Sequence, residues 1–111
     1  MRQFQHAIVR RPCRAMVDGI TSAPELGKPI YELALEQHDA YIRALEQCGI
    51  EVSILDADEA FPDSCFIEDV AVLSKKCAVV TNPGAPSRNG EKRLIIDEIR
   101  KYYDEAAIHC I

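Results

Sequence analysis

No apolar run in this 111-residue chain approaches the roughly 20 residues that a membrane-crossing helix needs. The first residues also lack the charged-then-apolar pattern of a secretory signal, so a cytoplasmic chain without a membrane partner is expected. Basic residues are in the minority. Thirteen Lys and Arg stand against 18 Asp and Glu, a net charge of -5, which excludes a general attraction to nucleic acid or anionic lipid and suits a cationic small molecule better. The five cysteines (Cys13, Cys48, Cys65, Cys77 and Cys110) never form a C-x-x-C pair, and their odd number speaks against a disulfide framework. They read as reduced, mostly buried thiols. His6, His38 and His109 show no H-x-x-x-H or H-E-x-x-H spacing, and the glycine loops lack both phosphate-cradling patterns, so neither a metal nor a cofactor is implied.

What is present is an ordinary globular composition, 48% hydrophobic and 28% charged, enough for a core in one domain. Phe4 to Val9 reads as a first strand closed by Arg10-Arg11-Pro12. Gly19, Pro24, Gly27 and Pro29 punctuate a long ordered loop from Cys13 to Pro29. From Ile30 to Gln47 the residues Ile30, Ala34, Tyr41, Ile42 and Leu45 repeat at helical spacing, with Gly49 placed for a left-handed cap. Glu51 to Leu55 alternates as a half-buried strand does. Cys65 to Leu73 and Cys77 to Thr81 read as a hairpin joined by Ser74-Lys75-Lys76. A loop rich in proline and glycine (82–90), a second helix to about Tyr103 and a last strand within Ala106 to Ile111 complete the pattern. The class is α+β, and the second half echoes the strand-helix-strand order of the first.

Chemistry concentrates around Asp63, Glu68 and Asp69. If Phe66 to Val72 is a strand, Glu68 and Asp69 point to opposite, otherwise apolar faces, and a buried carboxylate needs a cation or access to water. Two readings stand open. One is an ion pair within the chain, to Arg10, Arg11, Arg14 or Arg88; the other is a pocket that holds a guanidinium, whose planar fork carboxylates match bidentately. Arg88 either clamps a ligand carboxylate or is an arginine of no special role. Cys65 lies beside the acids, which disfavour its thiolate and make it a poor nucleophile.

Six blocks spread along the chain carry a resemblance: Val17-Asp18-Gly19-Ile20-Thr21, Gly27-Lys28-Pro29, Ala34-Leu35-Glu36-Gln37-His38, Phe61-Pro62-Asp63-Ser64, Phe66-Ile67-Glu68-Asp69 and Pro83-Gly84-Ala85-Pro86-Ser87-Arg88. In this order they closely resemble the dimethylarginine dimethylaminohydrolases, members of the pentein superfamily of guanidine-modifying enzymes. The resemblance implies a partial αβ-propeller, about two of five ββαβ blades, with residues 1–111 as the N-terminal portion of a single propeller domain. It implies that Glu68 and Asp69 bind a substrate guanidinium, that Asp63 and the backbone carbonyl of Ile20 bind its α-amino group, and that Arg88 binds its α-carboxylate. Ile20 stands where the family usually has Leu, and Cys65 where a small aliphatic residue is common.

The family's nucleophilic cysteine, its histidine and its acidic partner belong to a part corresponding to positions beyond Ile111. The resemblance therefore implies no catalytic residue in this chain, and inactivity without that C-terminal part. Self-association through an exposed blade edge is expected. Two alternatives remain at this point: a portion of an arginine deiminase or amidinotransferase, and a free-standing half-propeller that binds a ligand or assembles with a partner.

Overall fold

The structure, a computed structural model, describes residues 4–111. The chain forms two compact units, the first ending at Cys65 and the second running from Phe66 to Ile111.

In the first unit, strand β1 (His6–Arg10) pairs in parallel with β2 (Glu51–Leu55), His6 opposite Glu51 and Arg10 opposite Leu55. Parallel strands need a crossover, and helix α1 (Tyr31–Gln47) provides it. Helix α1 stops at Gly49, whose φ of 79° is open to a residue without a Cβ. Ile50 N–H donates to Leu45 O (3.1 Å) and Gly49 N–H to Glu46 O (2.9 Å), the paired bonds of a Schellman ending that turns the chain into β2.

The second unit is a ββαβ arrangement. Strands β3 (Ala71–Leu73) and β4 (Ala78–Val80) are antiparallel, and β4 pairs in parallel with β5 (Ile108–Cys110) after helix α2 (Lys92–Ile99). Ser74 shapes the hairpin turn, its Oγ accepting from the N–H groups of Lys76 and Cys77. The core is Val70, Ala71, Ala78, Val80, Ile95 and Ile99, all buried. The echo read from the sequence is thus present as two β-α-β crossovers, β1-α1-β2 and β4-α2-β5.

Several expectations are corrected. Phe66 to Val70 is not strand: Ile67–Asp69 forms a 3-10 turn, and only Ala71–Leu73 joins the sheet. The turn is fixed by Asp69 N–H on Phe66 O (3.1 Å) and Val70 N–H on Ile67 O (3.0 Å), bonds that use donors a strand would give to its neighbour. Strand β1 begins at His6, and Phe4 is exposed. On α1 only Ile42 is buried; Tyr41 and Ile30, assigned to the inner face by periodicity, are 56% and 62% exposed. The cysteines are all free, but only Cys13 is buried, whereas Cys48 and Cys110 are exposed. Helix α2 ends at Ile99 rather than near Tyr103.

Candidate functional site

The first unit brings Ile20 and Asp63 together across 43 residues: Ile20 N–H donates to Asp63 Oδ2 at 3.0 Å. The long loop reaches this point through a 3-10 helix, Arg14–Asp18, whose first backbone donors are met from afar. Arg14 N–H and Ala15 N–H each donate to the Glu59 carboxylate at 2.9 Å, as anionic capping of a helix start requires. Gly19 closes the turn, its N–H on Met16 O. A Cβ there would lie 2.4 Å from Asp63 Oδ1 and 3.1 Å from Met16 O, so the glycine is what lets Asp63 approach the backbone. From the other side Cys13 Sγ donates to the carbonyls of Phe61 and Pro62 (3.7 and 3.8 Å), holding the segment that carries Asp63. Burial, followed by the Glu59 charge, pushes the Cys13 thiol up and keeps it a donor.

In the second unit, Glu68 and Asp69 sit on the 3-10 turn and Arg88 on the 3-10 helix Pro86–Glu91. Arg88 Nη1 meets Asp69 Oδ2 at 2.5 Å. Its Nε and Nη2 donate to Glu91 Oε2 and Oε1 at 2.8 Å each, and Nη2 also reaches Phe66 O at 3.2 Å. The Glu91 contact is the bidentate fork that makes arginine-carboxylate pairs strong and directional. The Arg88 side chain is 12% exposed and that of Glu91 3%, whereas that of Asp69 is 50% exposed. Glu91 first, and then Asp69, hold the guanidinium charged far above its ordinary range, against the opposing effect of burial. Thr81 fixes the turn from β4's side, Oγ1 donating to Asp69 O at 2.6 Å. Glu68 is exposed and makes no hydrogen bond or ion pair among the described residues.

The five sequence-derived residues thus fall into two local groups, Ile20 with Asp63 and Asp69 with Arg88, while Glu68 stands alone beside Asp69. The ion-pair reading of Asp69 is realised with Arg88. The worry over buried acids does not arise, since the 3-10 turn leaves both Glu68 and Asp69 open to water. Sequence reasoning missed Glu91, Gly19 and Glu59. Glu91 had a usable signal, an Arg-x-x-Glu spacing on a turn that opens with Pro86; Gly19 and Glu59 act through contacts 44 residues or more away and had none. Among the described residues no group of three or more His, Cys, Asp or Glu is placed to hold a metal ion, and no helix is long and apolar enough to cross a membrane.

The chain as a whole is similar to known proteins. The sequence profile described as "N,N dimethylarginine dimethylhydrolase, eukaryotic" matches residues 21–109. The N(G),N(G)-dimethylarginine dimethylaminohydrolase of Pseudomonas aeruginosa is 50% identical over 100 residues, which make up 90% of this chain and 39% of that protein. A solved structure from Pseudomonas aeruginosa, a cysteine-to-serine variant complexed with citrulline, matches 99% of the chain with a TM-score of 0.94 at 46% identity, over 42% of its own length. A second, a histidine-to-glycine dimethylarginine dimethylaminohydrolase in an adduct with S-methyl-L-thiocitrulline, matches 97% of the chain with a TM-score of 0.93 at 47% identity.

The α+β arrangement is therefore part of a pentein fold, the class of the guanidine-modifying enzymes. Within that class the chain belongs to the dimethylarginine dimethylaminohydrolase family. It spans 39% of the length of its Pseudomonas aeruginosa relative.

Proposed function

We propose that this chain carries the substrate-recognition residues of a hydrolase that converts N-omega-methylated arginine to citrulline and methylamine or dimethylamine. In this reading Glu68 and Asp69 receive the guanidinium, Asp63 and the Ile20 carbonyl the α-amino group, and Arg88 the α-carboxylate. The observation that carries it is the family match over residues 21–109, a span that contains Asp63, Glu68, Asp69 and Arg88. The charge pattern suits it: carboxylates keep a guanidinium protonated, and only the protonated group is electrophilic enough for attack at its central carbon.

The reaction needs a thiolate to attack that carbon, an acid to protonate the departing amine, and water to cleave the resulting thiouronium to citrulline. Cysteine and histidine are the residues replaced in the two relatives that hold citrulline and S-methyl-L-thiocitrulline. In this chain Cys13 is buried with its thiol donating to two carbonyls, and Cys65 lies three residues before Glu68. We assign neither as the nucleophile and place the chemistry in a further segment of chain, in keeping with the 39% coverage of the relative. The same segment would cover strand edges that otherwise invite self-association.

The purified chain tests this directly. It is expected to release no citrulline from dimethylarginine yet to give heat on titration with it, and to sediment as more than a monomer at high concentration. Citrulline release by the chain alone overturns the placement of the chemistry, and absence of binding overturns the recognition role.

A further inference from the structure

We propose that Glu91 is the positioning residue of the carboxylate-binding end: it grips Arg88 by the Nε/Nη2 edge, so that the Nη1 edge, now on Asp69, is the one a small α-carboxylate takes over. The proposal rests on the reading of Arg88 given above and adds a residue and an exchange to it.

Three observations carry it. The first is the inequality of the two carboxylates on one guanidinium. Glu91 is 2% exposed and uses both oxygens, on the helix that carries Arg88 itself, whereas Asp69 uses Oδ2 at 2.5 Å and is half exposed on a short turn. A carboxylate in that burial costs far more to leave unpaired than one in water, so Glu91 stays and Asp69 is the one that can leave. The second is charge. With Glu91 and Asp69 both on Arg88, a further carboxylate meets like charge, a repulsion that eases when one of the two finds another cation. An arginine ligand brings that cation in its own guanidinium: Asp69 turns to it as the ligand carboxylate takes its place on Arg88, and the charge balance is kept throughout. The third is geometric. Phe66 O holds Nη2 at 3.2 Å in addition to Glu91, so the plane of the fork is set by two anchors that do not involve Asp69.

The experiment compares L-arginine with agmatine, the same molecule without its carboxylate, by calorimetry on the chain and on Glu91→Gln. It also follows exchange of the Arg88 Nε–H by nitrogen-15 NMR in both and in Asp69→Asn. Glu91→Gln is expected to weaken L-arginine about tenfold, the loss of one charge-assisted bond, and to leave agmatine within about twofold. The Nε–H is expected to exchange slowly in the unsubstituted chain and in Asp69→Asn, and fast in Glu91→Gln. Equal weakening of the two ligands overturns the proposal in favour of a general structural role. So does an Nε–H indifferent to Glu91→Gln. If neither ligand binds the unsubstituted chain, the recognition role fails, and the exchange measurement still decides whether Glu91 positions Arg88. If Glu91→Gln does not fold, an Nε–H in the unsubstituted chain that exchanges as freely as a surface arginine overturns the proposal, and slow exchange that persists in Asp69→Asn supports it.

Discussion

Helix α1 is 17 residues long and buries one side chain, Ile42, while α2 is eight residues long and buries Ile95, Glu98 and Ile99. The difference follows from the sheets of the two units. In the first unit the sheet has two strands, and in the second three, with β4 at the centre carrying Ala78 and Val80 almost without exposure. Each strand takes up about 5 Å and a helix with its side chains about 10 Å, so a pair of strands only just spans one helix and leaves its flanks bare, while a third strand extends the cover beyond it. On α1, Leu33 and Tyr41 remain 46% and 56% exposed. The first unit compensates with polar ties between distant segments: Arg10 to Asp56 O, Arg11 to Asp39, Glu59 to the Arg14 and Ala15 amides, and Asp63 to the Ile20 amide.

The largest effect that tests this contrast is in the apolar layer. Ile95→Ala or Ile99→Ala should cost about 2–5 kcal/mol, since each leaves a cavity under a packed strand, whereas Leu33→Ala in α1 should stay within about 0.5 kcal/mol. Urea midpoints of the three chains check it, and a Leu33→Ala loss as large as that of Ile95→Ala would erase the distinction between the helices.

A smaller effect separates two glycines. Gly19→Ala should cost on the order of 1 kcal/mol, because the new methyl displaces Asp63 from the Ile20 amide. Gly84→Ala in the second unit should be close to neutral, as nothing lies within 4 Å of the added carbon. Amide exchange at Ile20 should rise in the first variant alone.

The smallest effect concerns pH. His38, half-buried on α1, has an unpartnered Nδ1, and burial first and Arg11 second pull its pKa below the ordinary 6.5, with Asp39 opposing. The unfolded chain therefore takes up the proton before the folded one does. The stability from neutral His38 is complete above 6.5 and is lost as pH falls through the lower folded value. Urea midpoints measured from pH 7.5 down to about pH 5 should show this slope, and His38→Gln should remove that part of it.

Much of this architecture was legible in the sequence because local signals and tertiary demands agreed. Glu51–Leu55 matched its strand residue for residue, and Gly49 ended α1 with the cap that its position announced. The stretch from Phe66 to Val70 was misread because its β-prone side chains outweigh, in any local reckoning, the bond that Thr81 makes to Asp69 O from 12 residues away. The inner face of α1 was overfilled for a related reason: periodicity identifies an apolar stripe and says nothing of how wide a sheet lies beneath it. For the candidate site, residue blocks nominated Ile20, Asp63, Glu68, Asp69 and Arg88, but not the side chains that the structure places against them. Glu91 is charged and sits at a helix start, where an acid is commonplace, so its burial could come only from the fold.

Cys13 has one further consequence. Its thiol is 1% exposed and donates to the carbonyls of Phe61 and Pro62, while Cys48 and Cys110 stand in solvent. An alkylating reagent therefore meets fast and slow thiols in one chain, and the slow one can react only when the segment carrying Asp63 lifts away. Cys13 is in that sense a clock already wired to the loop, and its rate of modification reports how often the Asp63 arm opens.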